Sequence, residues 1–183
     1  MTSSTWAIFT VRHHPILMAP NLFNQDLLDA LLDSWDRNNT ILVNLLRIIP
    51  EDGMTVRGAA GSPSVGEMFT HIHYVRLVFV EEDAPEFAKP VPDGEWKAEP
   101  DRERMAGMLN ESARVVREAV KGRLEAGKNM LLHYDHPILM VQHMIWHEGY
   151  HHGQIKLALK AAGMALDNKV AGPGSWRVWM NKT

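Results

Sequence analysis

Apolar residues recur at intervals of three and four along four long stretches of this chain, and nowhere do they alternate long enough to suggest a strand. From Asn24 to Ile49 the stripe is Leu28, Leu31, Trp35, Asn38, Leu42, Leu45 and Ile49, the spacing of a helix with one face in a core. Pro50-Glu51-Asp52-Gly53 ends it. Asn38 is the polar member of the stripe, and it either stands behind a buried site or sets the register of packing. The second stretch opens on Ser64-Val65-Gly66-Glu67, a capping box. It turns Val65, Met68, Ile72, Val75 and Phe79 inward, flanked by Phe69. A third, from about Asp101 to Glu125, turns Met105, Met108, Ser112, Val115 and Ala119 inward and carries its charges on a solvated face. The fourth starts with Pro137 at its first helical position and runs to Ala162. A proline-rich connection over 83–100 separates the second stretch from the third, and Gly127–Asp135 is a turn. The expected fold is all-α, a four-helix bundle with one long crossover connection.

The flanks differ. Residues 1–23 form a leader without sustained period, 24–163 the bundle, and 164–183 a tail whose Trp176 and Trp179 pack over it. His14-Pro15-Ile16-Leu17-Met18 recurs as His136-Pro137-Ile138-Leu139-Met140, but the first copy has no helical continuation and marks no domain repeat. Translation from Met18 is expected, with His13 and His14 on the surface of a dispensable leader. Loss of soluble protein on deleting residues 1–17 would contradict that.

Composition narrows the function classes. With 183 residues and 45% hydrophobic content the chain can bury a core. A formal net charge of −3, without a basic cluster, offers no footprint for nucleic acid. Apolar runs stay short of the roughly 18 residues a membrane span needs, and no secretory signal pattern is present. A cytoplasmic protein is expected. The chain has no cysteine, so disulfides, thiolate metal ligands and a cysteine nucleophile are excluded.

Against that background the histidines of the fourth helix stand out. At about 100° per residue, Met140, His143, Met144, His147, His151, Gln154, Ile155 and Ala158 fall on one face. That face is apolar at both ends and rich in nitrogen ligands between. Imidazoles without partners on such a stripe would be costly, whereas His147 and His151, one turn apart, can close on a single metal ion. The literal His147-Glu148-Gly149-Tyr150-His151 match to the H-E-x-x-H zincin signature fails downstream: position 157 is Leu, and no Glu follows Glu148. A third ligand must come from another helix. In the second stretch His71 sits at the edge of the inward stripe and His73 points about 160° away. His71 is thus the better inward candidate, though periodicity alone leaves the choice open. His143 is a neighbour of the site or a fourth ligand; His73, His133, His136 and His152 are expected on the surface or in loops.

Two segments resemble the DinB/YfiT-like family. Ser64-Val65-Gly66-Glu67-Met68-Phe69-Thr70-His71 is similar to the segment carrying that family's first metal histidine. His147-x-x-x-His151-x-Gly153-Gln154 is similar to its second signature, and the intervals cover about residues 24–163. The resemblance implies a divalent metal site at His71, His147 and His151 with open positions for water or substrate. Tyr150 and His152 stand where the family often has His and Arg; neither is needed for the three-ligand site.

Three ligands and an open position are the arrangement of a catalytic ion. Zn²⁺ is the first expectation, with Ni²⁺, Fe²⁺ and Mn²⁺ as alternatives. Known family activities imply a thiol S-transferase using a low-molecular-weight thiol such as bacillithiol or mycothiol, acting on a small-molecule substrate. Gln154 is expected to orient a ligand or a metal-bound histidine, and Glu148 to accept a proton. The alternatives are a hydrolase that activates water, with Glu148 as base, and a non-catalytic metal-binding stress-response module. The resemblance and the amphipathic helices favour a homodimer.

Overall fold

The computed structural model describes residues 25–180, and the leader expectations, with His13, His14 and Met18, lie outside them. Four long helices, α1 (Gln25–Ile48), α2 (Val65–Asp83), α3 (Arg102–Glu125) and α4 (Pro137–Ala161), are followed by a short α5 (Asn168–Gly174). No strand occurs among the described residues; Arg57 and Ser64 make an isolated antiparallel bridge. No described helix is long and apolar enough to cross a membrane.

The helix ends follow the chain's own chemistry. The Ser64 hydroxyl accepts from Glu67 N at 3.2 Å while the Glu67 carboxylate accepts from Ser64 N at 2.6 Å, so two otherwise orphaned amides are satisfied. Asp101 caps α3 through Arg104 N, and His136 caps α4 through Ile138 N ahead of Pro137. Gly163, at φ 76°, closes α4 in the left-handed conformation that costs glycine least. At the other end of α2, buried Asp83 accepts from Leu132 N, His133 N and His133 Nδ1 at 2.8–2.9 Å, which ties the α3–α4 turn to the body of the fold.

The interior is layered along the helix axes. One apolar cluster gathers Leu28, Leu32, Trp35, Leu77, Val80, Val116, Val120, Met140 and Met144. A second gathers Leu42, Leu46, Ile49, Met68, Phe69, Ile72, Met105, Leu109, Ile155 and Leu159. Between them lies a polar layer to which every long helix contributes. Arg76 (0% exposed) donates to both oxygens of Glu148 (1% exposed) at 2.6 and 2.8 Å. Its remaining donors reach Asn39 Oδ1, Leu109 O and Ser112 Oγ, and its guanidinium lies 4.9 Å over the Trp35 ring. Asn38 Nδ2 donates to Glu148 Oε2 at 2.5 Å. Asn38, the polar interruption of the α1 stripe, thus serves a buried ion pair.

Two surface assignments are corrected here. His73 is 5% exposed, and its Nδ1 donates to Met108 O at 2.9 Å, because α2 is central and α3 covers the face opposite His71. His152 is half-buried against the C-terminal segment, which folds back over α1. His133 and His136 do lie at the turn before α4.

Candidate metal centre

The polar layer opens, on one side, onto three imidazoles. His71 from α2 and His147 and His151 from α4 bring their ligating nitrogens within 4.8 Å of one another. His71 Nε2 lies 3.2 Å from His147 Nε2, and His151 Nε2 lies 3.1 Å from it. Nitrogens bonded to one tetrahedral ion at about 2.0–2.1 Å stand roughly 3.3–3.4 Å apart. The two measured contacts come within about 0.3 Å of that spacing, so the group could hold a single small divalent cation.

Protonation points the same way. Glu95, from the connection between α2 and α3, accepts from His71 Nδ1 at 2.7 Å. In neutral His71 that bond places the proton on Nδ1 and leaves the Nε2 lone pair aimed at the other rings. Burial holds the pKa of His71 and His151 below the ordinary value. His147 is pushed down to about 4, first by burial and then by its histidine neighbours. Lone pairs converging on one point repel unless a cation sits among them, and histidine nitrogen suits Zn²⁺, Ni²⁺, Fe²⁺ and Mn²⁺ to different degrees.

A pH prediction follows from the depressed histidines. An unfolded histidine titrates near 6.5, whereas folded His147 holds no proton until about pH 4. Between those values the unfolded chain binds more protons, so stability rises with pH there. The metal-free protein is expected to keep its full stability above about pH 6.5 and to lose it progressively toward about pH 4. Thermal melts across that window check this, and a flat profile would contradict it.

Glu148 is packed away from the histidine cluster, and both its oxygens are taken by Arg76 and Asn38. Gln154 is half-buried beside His151 and counteracts part of its lowered pKa. His143 is exposed and stands outside the three-nitrogen group; its Nδ1 shares a hydrogen bond with the Tyr134 hydroxyl at 2.7 Å.

Sequence reasoning missed Arg76, Glu95 and Trp96. Arg76 carried a signal, a lone charge inside Ile72–Val80. Glu95 and Trp96 carried none, because they sit in an aperiodic connection; yet Trp96 stacks on His71 at 4.1 Å between centroids with 5° between planes. Among the described residues the outer nitrogens of His147 and His151 are buried without a hydrogen-bond partner, so Glu95 alone orients a histidine of the cluster through a carboxylate. Glu95→Gln is expected to weaken Zn²⁺ binding about 10–100-fold, as loss of such outer partners does, measured by competition with a chelating dye.

No curated protein and no solved structure matches the chain. A model of the DinB family matches residues 21–168, the span that holds all four long helices and all three converging histidines. The chain belongs to the DinB family.

Proposed function

We infer that this protein is a metal-dependent enzyme that transfers a low-molecular-weight thiol to a small electrophile, using His71, His147 and His151 to hold one divalent ion within a four-helix bundle of the DinB/YfiT-like kind. The observation that carries the reading is the pairing of three convergent neutral imidazoles with a neighbouring carboxylate that is already engaged. A divalent ion in that neutral ligand set supplies Lewis acidity that brings a thiol or water toward a neutral pKa. Chemistry that needs only an acidified nucleophile suits this site. Hydrolysis with Glu148 as base suits it less, since Arg76 and Asn38 occupy that carboxylate.

The chain's own residues then position and exclude. Glu95 fixes the His71 ring, Trp96 covers one of its faces, and Tyr150 packs edge-on against His151 at 5.4 Å. Trp96 and Tyr150 are themselves exposed, so the site has an aromatic rim that favours an apolar electrophile. In the transfer, the thiol sulfur bonds to the electrophilic carbon, the thiol proton passes to solvent, and the leaving group departs with the electron pair of its broken bond. Gln154, beside His151, would orient that ring or the incoming thiol. A second copy of the chain is supported by Leu139, Trp146 and Leu157, all exposed on α4; sedimentation should give twice 20.7 kDa.

The test is turnover of an electrophile by Zn²⁺-loaded protein with and without bacillithiol, mycothiol or glutathione. Turnover that requires a thiol supports the transferase. Turnover without thiol would favour the hydrolase, and silence throughout with firmly bound metal would favour the binding module.

A further inference from the structure

On the far side of α4 from the three histidines, the C-terminal segment lines an open cavity of about 220 Å³. Its walls are the indoles of Trp176 and Trp179 and the side chains of Ile41 and Leu42, and its polar groups include His152 and Lys156. The segment is fastened rather than draped: Arg37 Nη1 donates to Val178 O at 2.5 Å, Asn44 Nδ2 to Gly174 O at 3.0 Å, and Ser175 Oγ to Ala171 O at 2.7 Å. The indoles are thereby held at the mouth while remaining 53% and 44% exposed.

We propose that this cavity binds a small planar aromatic anion, of the aryl carboxylate class. Ring recognition rests on two indoles beside the Ile41 and Leu42 side chains, since aromatic faces pack on one another in offset or edge-on geometry. Size rests on the volume, which is below the roughly 300–1,000 Å³ of sites for larger ligands and suits one ring with one substituent.

Charge selection rests on the balance of the wall. Glu148 reaches the cavity floor, but Arg76 neutralises it from the other side. Among the described residues Lys156 is therefore the uncompensated charge in the lining, and it is positive. His152 Nε2 is buried and has no hydrogen-bond partner among the described residues. Buried polar nitrogens are normally satisfied, and a carboxylate lying between His152 and Lys156 would satisfy this one. On α4, Lys156 lies about 140° around the axis from His151, so the two sites face apart and a ligand here does not reach the metal ligands.

The experiment is calorimetric titration of the purified full-length chain with benzoate, and with benzamide as the uncharged ring. Saturable binding of one benzoate per chain is expected, with benzamide at least about tenfold weaker, since a charged hydrogen-bond partner is worth that much. Lys156→Met and Trp179→Ala should each weaken benzoate about tenfold or more, with thermal melts showing that both variants are folded. Lys156→Met is at a half-buried surface position and keeps the test valid should Trp179→Ala unfold. His147→Ala, which disables the three-histidine site, should leave benzoate affinity unchanged. Absence of saturable binding, or binding lost in His147→Ala and retained in Lys156→Met, would overturn the proposal.

Discussion

Arg76→Met is expected to cost the folded state about 3–5 kcal/mol, among the largest losses one substitution can produce here. The side chain is fully buried, and every hydrogen bond it makes is to another buried or half-buried group. Removing it strands the Glu148 carboxylate between two apolar clusters with Asn38 as its remaining donor. Replacing both partners with apolar residues removes that stranded charge, so Arg76→Met with Glu148→Leu should recover most of the loss. Urea unfolding of the three variants measures this. A double variant no more stable than the single would show that the pair's other contacts dominate. Glu148 directly follows His147 and lies between the two α4 histidines in sequence, so the pair fixes the turn of α4 that carries them. A folded Arg76 variant should therefore also hold Zn²⁺ more weakly.

His147→Ala is expected to remove the ion from the purified protein, taking metal content from one per chain to none. It deletes the nitrogen that contacts both others at 3.1–3.2 Å, and two imidazoles seldom retain a divalent ion on their own. The affinity should fall by more than the roughly 10–100-fold that loss of an outer partner costs. His71→Ala should do the same. His73→Ala should keep the metal, because its ring is on the opposite side of α2, bonded to Met108 O. Elemental analysis distinguishes these outcomes: equal metal in wild type and His147→Ala, or loss in His73→Ala with retention in His71→Ala, would remove the ligand assignment.

Much of this arrangement is legible in the sequence because periodicity reports burial. The capping box at Ser64, Pro137 at the start of α4 and the inward stripes of α1 and α3 are local signals, and the helices begin and end close to them. The choice of His71 over His73 is legible only in part. Both are buried, since α2 packs against α3 on one side and α4 on the other, and a stripe argument presumes one wet face. Arg76 is illegible to a count of hydrophobic residues, although a single cation in Ile72–Val80 is an anomaly that only a buried partner explains. Glu148 looks like a base because it abuts a histidine, but on a helix adjacent residues point about 100° apart, and its direction is toward α2. Glu95 and Trp96 reach the site from a loop, where no period exists to extrapolate.

The separation of His71 from His147 by 76 residues has a consequence for how a divalent ion would enter the site. His147 and His151 are neighbours as soon as one turn of α4 forms, an event of microseconds or less. His71 joins them only when a long loop has closed and α2 has docked, with the entropy of that closure already spent. An ion supplied to the unfolded chain thus meets a bidentate half-site, and the complete one exists only after the tertiary contacts do. Metal uptake should lag helix formation in refolding and follow the docking of α2, so a bound ion would lock the finished fold and would not template it.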